Sequence, residues 1–351
     1  MALSRGRRTG VAAGTVGLAL LLAPVSAVAQ DDPPPAPVPA PAEVRCVVTD
    51  PRLSQLSGMS ARRGTLYAVS DQGPVVYELD EQCEVTRSVT LKQPVVDLED
   101  LGQSVDGLLW LADVGGNREP RTEVAVIRYN PETGNVVRFR MAYPDGPHDA
   151  EAVLVTPSAQ VLLVTKDETG VSGVYTVENP LQVDRVNRMT RVAEVSLREI
   201  PGRTRGNGSV LVTGGAVSYD GTRFVLRTYK DAYEWDAPDT DIVAALVNGR
   251  PRVVPLPETP QGEAVTYDEG GAALLVGGEQ LPAPVHRVSL TRPETVPAAA
   301  TGVGDEQSGA VSRTGLALVA LSAVAVVVWQ LVRALRPRAR RPIVDTPRSA
   351  A

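Results

Sequence analysis

The chain has 351 residues, a formal net charge of −6 and only two cysteines. This length can support a domain with a sizeable core, so the fold does not depend on a dense disulfide framework. An acidic surface repels phosphate groups, and we therefore expect neither nucleic acid nor anionic lipid headgroups as ligands of the folded domain.

The N-terminal residues predict a cleaved signal peptide over residues 1–29. Arginines precede an apolar run at Val11–Leu22, and Ala27–Ala29 has the small residues that a signal peptidase selects. Residues 30–42 are rich in proline and alanine, which is typical of a linker. We expect the domain that follows to lie outside the cell.

Residues 43–292 repeat one pattern: an apolar strand that begins at a small or acidic pair, a turn, and a second apolar strand that ends in a polar group. The five first strands begin near Ser57, Glu99, Ala150, Gly214 and Gly262. Strand repeats of about 40–65 residues are typical of a β-propeller. We predict an all-β, five-bladed propeller, and extra residues between Leu181 and Val210 leave six blades as an alternative.

The two cysteines, Cys46 and Cys83, predict a disulfide, because an isolated pair in an oxidising compartment usually pairs. Two buried free thiols are the alternative. Val44–Val48 forms an apolar run before the first repeat, whereas the fifth repeat has only three strands. We expect this N-terminal strand to complete the last blade and the disulfide to fasten it to the first, which leaves no open edge.

The starts of the inner strands converge on the axis of a propeller, so the repeats bring acidic residues to one mouth of its channel. The predicted metal ligands are Asp100, Asp113, Glu151 and Glu263. A hard cation relieves the repulsion among buried carboxylates, and oxygen-only ligands favour Ca²⁺ over Zn²⁺ or Cu²⁺. Alternatively, these acids cap strand ends or pair with basic side chains, for which the nearest candidates are Arg118, Arg227 and Lys166.

The candidates for catalysis are His148, Glu151 and Lys166. His148 is one of two histidines and stands beside carboxylates in the sequence, where it could act as a general base or a metal ligand. A lone histidine is more often a hydrogen-bonded turn residue, which is the alternative. The Gly-Gly-Asn turn at residues 115–117 either brings backbone close to a ligand or simply closes a tight turn. The sequence has no nucleophile elbow and no His-Glu-x-x-His zinc motif.

The C-terminal residues predict a membrane anchor in three parts. Residues 293–313 are rich in small residues and proline, which is typical of a flexible tether. Residues 314–335 are mostly apolar and long enough to cross the hydrocarbon core of a membrane as a helix. The arginine-rich tail at 336–351 then lies in the cytoplasm by the positive-inside rule. The sequence predicts a single-pass protein of the cell membrane with its propeller outside.

Several segments together resemble an actinobacterial family of secreted, membrane-anchored propellers of unsettled function. They are Glu99–Leu101, Asp113–Arg118, Tyr143–Val155, Val212–Tyr219 with Leu226–Trp235, and Gln261–Tyr267. This family is distantly similar to phytase-like and gluconolactonase-like calcium propellers. The resemblance implies Ca²⁺ held by axial carboxylates, which here are Asp100, Glu151 and Glu263. Some of the distant relatives hydrolyse phosphate esters or lactones.

Two functions are consistent with these features. The first is a cell-surface module that binds an unknown extracellular ligand or protein through an acidic, Ca²⁺-occupied channel mouth. The alternative is a Ca²⁺-dependent hydrolase of phosphate esters or lactones, in which His148 or a carboxylate activates water. Phosphate chemistry would also need a basic cluster, for which only Lys166, Arg227 and Lys230 are placed.

Overall fold

The structure is a computed structural model that describes residues 42–116, 120–178 and 180–290. The predicted signal peptide, tether, membrane span and tail lie outside these residues, as do Asn117 and Arg118 of the predicted turn. Within the described part of the chain, no helix has the length and apolar character needed to cross a membrane.

The N-terminal strand and the first two blades occupy residues 42–142. The N-terminal strand is β1 (Ala42–Val48). The first blade consists of β2 (Leu56–Arg62), β3 (Thr65–Ser70), β4 (Val75–Leu79) and β5 (Val85–Thr90). The second consists of β6 (Leu98–Gln103), β7 (Leu109–Asp113), β8 (Val124–Tyr129) and β9 (Val136–Ala142).

The remaining blades occupy residues 150–289. The third consists of β10 (Ala150–Val155), β11 (Val161–Thr165), β12 (Val171–Thr176) and β14 (Thr190–Ser196). The short β13 (Asn187–Arg188), which lies between β12 and β14 in the chain, pairs with β9 and adds a fifth strand to the sheet of the second blade. The fourth consists of β15 (Val212–Val217), β16 (Arg223–Thr228), β17 (Asp231–Asp236) and β18 (Arg252–Pro255). The fifth consists of β19 (Val265–Tyr267), β20 (Ala273–Val276) and β21 (Ala283–Ser289).

Helices are few and short in the described residues. Helix α1 is Ile242–Asn248, and it begins at Asp241, whose carboxylate accepts a hydrogen bond from the amide of Ala244. Two 3₁₀ turns lie at Pro51–Leu53 and Leu197–Glu199. The fold is therefore all-β, as predicted.

Five sheets, which are antiparallel except for the parallel pair β9 and β13, form a closed ring, because each inner strand contacts the next and β19 contacts β2. The five-bladed prediction is confirmed. The six-bladed alternative is wrong, since the extra residues between Leu181 and Val210 form β13, β14 and a 3₁₀ turn instead of a sheet of their own. The molecule is a five-bladed β-propeller.

The ring closes as the sequence predicts. Strand β1 pairs with β21 and so supplies the fourth strand of the fifth blade. A disulfide joins Cys46 in β1 to Cys83, which lies between β4 and β5, with Cα atoms 5.7 Å apart. The predicted disulfide is confirmed, and it links the closing strand to the first blade.

The hydrophobic core lies between neighbouring blades, where sheet faces pack on one another. Between the third and fourth blades, for example, Leu154 and Leu162 belong to one buried cluster with Phe224 and Trp235. Because each sheet is covered on both faces, inner strands such as β10 are buried along their whole length. This packing holds the five strand starts at fixed positions around the axis.

Candidate functional site: an acidic channel mouth

A shift of strand register marks the start of the inner strands. In four blades the pairing between the first two strands shifts at one residue, which is Ser57, Glu99, Glu151 or Thr213. Glu263, just before β19, has the corresponding place in the fifth blade. A bulge takes its residue out of the alternating strand pattern and redirects the side chain. All five of these residues are buried.

Three of these residues form a compact acidic group, which we call the glutamate cluster: Glu99, Glu151 and Glu263. One carboxylate oxygen from each lies within 4.8 Å of the other two. The exposed fractions of these residues are 5%, 1% and 6%. Two oxygens bound to one Ca²⁺ at 2.3–2.6 Å can be at most about 5 Å apart. The cluster therefore fits a hard divalent cation in both donor type and spacing.

Further acidic groups surround the cluster. Asp97 is buried, and the Asp149 carboxylate accepts a hydrogen bond of 2.7 Å from the amide of Gly116. Glu279, at the end of the second strand of the fifth blade, shares a side-chain hydrogen bond with Glu263. A side chain at Gly115 would collide with the carboxylates of Glu99 and Asp97. Glycine is therefore needed there for the backbone to lie against the acids.

Burial and mutual repulsion make the cluster hard to ionise. Burial, followed by the charge of Glu151, raises the pKa of Glu99 to about 11. The same two causes, with a contribution from Glu279, raise the pKa of Glu263 to about 9. At neutral pH, without a bound cation, both groups hold a proton. A cation that binds here must displace those protons.

Lys166 is a basic group that contacts the cluster, and the buried guanidinium of Arg227 also favours the ionised form of Glu263. Lys166 Nζ lies 2.9 Å from Glu151 Oε1 and 5.4 Å from the centre of the Tyr229 ring. Burial alone would lower the pKa of Lys166, but the Glu151 carboxylate outweighs burial and raises it. Lys166 is therefore a fixed positive charge that balances one of the three glutamates.

Asp100 is not in the glutamate cluster, although it is adjacent to Glu99. Its fully buried carboxylate accepts hydrogen bonds from the amides of Leu101, Val153 and Gly215, at 2.8, 2.8 and 3.2 Å. Burial raises the pKa of Asp100 to about 8, although these hydrogen bonds favour the ionised form. Asp100 thus connects the inner strands of three blades. A side chain at Gly58 would collide with the backbone of Asp100 and Leu101.

Asp113 is also outside the cluster. Its Oδ1 accepts hydrogen bonds from the amides of Val96 and Asp97, both at 3.0 Å, and lies 3.0 Å from Arg121 Nη1. Its Oδ2 lies 3.5 Å from Arg138 Nη2. Asp113 therefore holds the segment that leads into Glu99. Its metal ligation stays a sequence prediction, and these contacts are those of the alternative, an ion-paired acid at a strand end.

His148 contacts a tyrosine pair at the edge of this mouth. Its Nε2 lies 3.0 Å from Asp145 Oδ1 and 3.0 Å from the Tyr175 hydroxyl, and its ring packs edge-on against Tyr143. The Tyr175 hydroxyl donates to the other oxygen of Asp145 at 2.7 Å. These contacts are those of a hydrogen-bonded turn residue, and a catalytic role for His148 stays a prediction.

Sequence reasoning placed Glu151 and Glu263 together but chose Asp100 where the structure has Glu99. The sequence did contain a signal that identifies Glu99, because an apolar residue or glycine precedes the equivalent position in each of the five repeats. These dipeptides are Leu56-Ser57, Leu98-Glu99, Ala150-Glu151, Val212-Thr213 and Gly262-Glu263. Aligning the repeats on that preceding residue, instead of on the first acidic or small pair, selects Glu99.

No family model matches the chain, and no curated protein matches it in sequence. Solved structures with a similar fold include a Myxococcus xanthus glutaminyl cyclase, at 13% identity and a TM-score of 0.46, over 73% of this chain and 100% of that one. A gluconolactonase from Xanthomonas campestris matches at 12% identity and a TM-score of 0.41, over 72% and 97% of the two chains.

A virginiamycin B lyase from Staphylococcus aureus matches at 11% identity and a TM-score of 0.36, over 67% of this chain and 66% of the lyase. The chain therefore spans just under two thirds of the length of that lyase. The closed ring of sheets and the glutamate cluster define this chain as a five-bladed propeller with an acidic channel mouth.

Proposed function

We propose that this protein is a single-pass cell-surface propeller that binds an extracellular ligand or partner protein through its acidic mouth, with Ca²⁺ held by the glutamate cluster. The observation that carries the proposal is the meeting of Glu99, Glu151 and Glu263 within 4.8 Å. The structural support is limited to this mouth, and the membrane anchor rests on the sequence pattern of residues 314–335.

Charge balance supports a divalent cation at the glutamate cluster. Three ionised glutamates carry three negative charges, and Lys166 neutralises one of them through its 2.9 Å contact with Glu151. A divalent cation would offset the negative charge that remains, so that neither Glu99 nor Glu263 would need to hold a proton. Carboxylate oxygens are the ligands that Ca²⁺ prefers.

Burial favours a binding module over the alternative, a Ca²⁺-dependent hydrolase of phosphate esters or lactones. Metal-assisted hydrolysis needs an open position for substrate or water, whereas the cluster residues are at most 6% exposed. Lys166 is already paired with Glu151, and the contacts of His148 are with Asp145 and the tyrosine pair. An enclosed cation would instead stiffen the mouth and orient the loops around it.

Calcium titration of the metal-depleted, full-length chain tests this proposal. If the dissociation constant is about 10⁻⁴–10⁻³ M, as in many extracellular sites, 1 mM Ca²⁺ should stabilise the protein by about 0.4–1.4 kcal/mol. EDTA should reverse the effect. Glu151→Gln should abolish the response, whereas Glu258→Gln, at an exposed residue paired with Lys230, should not.

Two results would count against the proposal. A melting temperature that ignores both Ca²⁺ and EDTA would leave the glutamates without a metal role. Hydrolysis of a phosphate ester or lactone that is lost both in EDTA and in Glu151→Gln would favour the hydrolase.

Reporter fusions test the predicted topology. A reporter enzyme fused after Ala351 should be active in the cytoplasm, and one inserted near Thr301 should be active outside the cell. The reverse pattern would contradict the predicted orientation.

A further inference from the structure

A cavity of about 210 Å³, which we call the distal cavity, lies at the other end of the channel, where the inner strands end. Its lining includes one residue from the turn between the first two strands of each blade, and these are Arg63, Val105, Pro157, Tyr219 and Glu269. The inner strands begin at the glutamate cluster, so the cavity and the cluster lie at opposite ends of the same strands.

The distal cavity has exposed apolar groups in its lining. Tyr219 is 62% exposed and Val105 is 39% exposed. Among the large apolar side chains that are exposed in the described residues, Tyr219 is the only aromatic one. The Arg62 guanidinium lies 5.9 Å from the centre of the Tyr219 ring and helps to hold that ring in place. Exposed apolar groups around a concave surface are typical of a binding site.

The N-terminal strand begins at this end of the molecule. Across the fifth blade, Ala42 of β1 pairs with Val288, Val288 pairs with Leu274, and Leu274 pairs with Tyr267, which lines the cavity. Ala42 and Tyr267 therefore lie in one row, three strand spacings or about 14 Å apart. The chain that precedes Ala42 thus enters the fold beside the distal cavity.

Residues 33–41 directly precede β1 and lie outside the described residues. Six of these nine residues are prolines, and the other three are alanine or valine. Proline-rich sequences favour the polyproline II conformation, which rises about 3.1 Å per residue, so a segment of this length spans about 28 Å. That span is about twice the distance from Ala42 to Tyr267. The segment is therefore long enough to cross the fifth blade and continue over the cavity.

We infer that residues 33–41 dock on the distal cavity of their own chain, in the polyproline II conformation and with a proline ring against Tyr219. Proline-rich segments bind to surfaces with exposed aromatic side chains, and they lose little conformational freedom because they are already extended. Proline has no N–H group, so the prolines bring no donor that needs an acceptor in the cavity. The segment is uncharged, so its docking does not depend on the charges of Arg63 and Glu269.

A synthetic peptide of residues 30–41 tests this inference. Its receptor is the full-length chain in which glycine and serine replace residues 33–41, which we call the Gly/Ser variant. Calorimetry should show saturable binding of the peptide to this variant. Binding to the unmodified chain should be at least about fivefold weaker, because the chain's own segment competes at an effective concentration of about 1 mM. A peptide with alanine in place of every proline should bind the Gly/Ser variant at least about tenfold more weakly.

Substitutions in the Gly/Ser variant locate the binding surface. Tyr219→Ala removes the aromatic ring and should weaken peptide binding at least about tenfold. Tyr219→Phe is the matched control, because it keeps the ring, and it should change the affinity by no more than about threefold. Val105→Asp should weaken binding at least about threefold, because it places a charge at an apolar contact. Binding should be equal in Ca²⁺ and in EDTA, which separates this inference from the proposed metal site.

Four results would overturn the inference. Three concern the Gly/Ser variant: no saturable binding of the peptide, equal binding of the alanine peptide, or unchanged affinity in both Tyr219→Ala and Val105→Asp. The fourth is equal affinity of the peptide for the unmodified chain and for the Gly/Ser variant. In that case the chain's own segment would not occupy the cavity, and the occupant would be a proline-rich segment of another protein.

Discussion

The two ends of the channel are built from the same five inner strands but differ in chemistry. At the strand starts, Glu99, Glu151 and Glu263 meet in a buried group that, when fully ionised, holds more negative charge than Lys166 balances. At the strand ends, Asp268 and Arg63 each form an ion pair, with Arg287 and with Glu132. Asp100 lies between the ends and bonds to the backbone of three blades. The two ends of a propeller can therefore differ in charge while the strands between them hold the ring together.

The largest effect on the free energy of unfolding is expected from Asp100→Ala, which removes the link between the blades. Three buried amides, those of Leu101, Val153 and Gly215, would lose their acceptor. At about 1–3 kcal/mol for each unsatisfied group, the free energy of unfolding should fall by about 3–9 kcal/mol in urea denaturation. The Ca²⁺ response should weaken as well, because Asp100 is adjacent to Glu99.

Asp100→Asn is the control for that prediction. It keeps the shape and one acceptor oxygen, so the loss of stability should be smaller than in Asp100→Ala. Equal stability of Asp100→Ala and the unmodified chain would show that these amides do not depend on Asp100.

Removal of the disulfide should affect stability without distinguishing the two ends. The bridge closes a loop with a sequence separation of 37 residues, and the double variant Cys46→Ser, Cys83→Ser should lose about 3–4 kcal/mol of unfolding free energy. Because the bridge joins β1 to the first blade and includes no residue of the glutamate cluster, the Ca²⁺ affinity of the folded variant should persist. Loss of the Ca²⁺ response in the folded variant would show that ring closure controls the acidic mouth.

The pH dependence of stability should separate the acidic mouth from the rest of the molecule. The folded-state pKa values of Glu99 and Glu263, about 11 and about 9, lie above their ordinary value near 4.5. The folded chain therefore binds more protons than the unfolded chain between these values. The contribution of Glu99 and Glu263 to the stability of the folded chain is therefore largest below about pH 4.5. It falls as the pH rises towards 9.

Melting curves in EDTA between pH 5 and pH 9 measure this effect. The melting temperature should decrease with pH in EDTA and decrease less in saturating Ca²⁺, because a bound cation replaces the protons. Glu151→Gln removes a neighbouring charge and should reduce the slope in EDTA. A flat profile in EDTA would contradict the raised pKa values.

The smallest effect is expected from Lys166→Met, and it concerns the affinity for Ca²⁺. Loss of a positive charge beside Glu151 should strengthen Ca²⁺ binding severalfold, because the lysine and the cation repel each other. The control is Lys230→Met, since Lys230 forms an exposed ion pair with Glu258. Calorimetry in the two variants provides the comparison, and weaker Ca²⁺ binding in Lys166→Met would show that the lysine orients Glu151 instead of competing with the cation.

Most of the fold follows from patterns that are local in the sequence. The strand repeats predict the blades. The fifth repeat has only three strands, which predicts that β1 closes the ring, and the pair Cys46 and Cys83 predicts the bridge. The site was predicted less completely. Glu151 and Glu263 do lie together, whereas Asp113 contacts Arg121 and Arg138 instead of joining them. The position of Asp113 depends on the conformation of the loops, which the spacing of residues in the sequence does not predict.

The sequence by itself determined the repeated blades, the ring closure and the presence of acids at one mouth, because alternation and repeat spacing are properties of neighbouring residues. Only the tertiary structure decided between five and six blades and between Glu99 and Asp100. A register shift of one residue moves a side chain to another face, so Glu99 joins the cluster while Asp100 reaches the amides of two other blades.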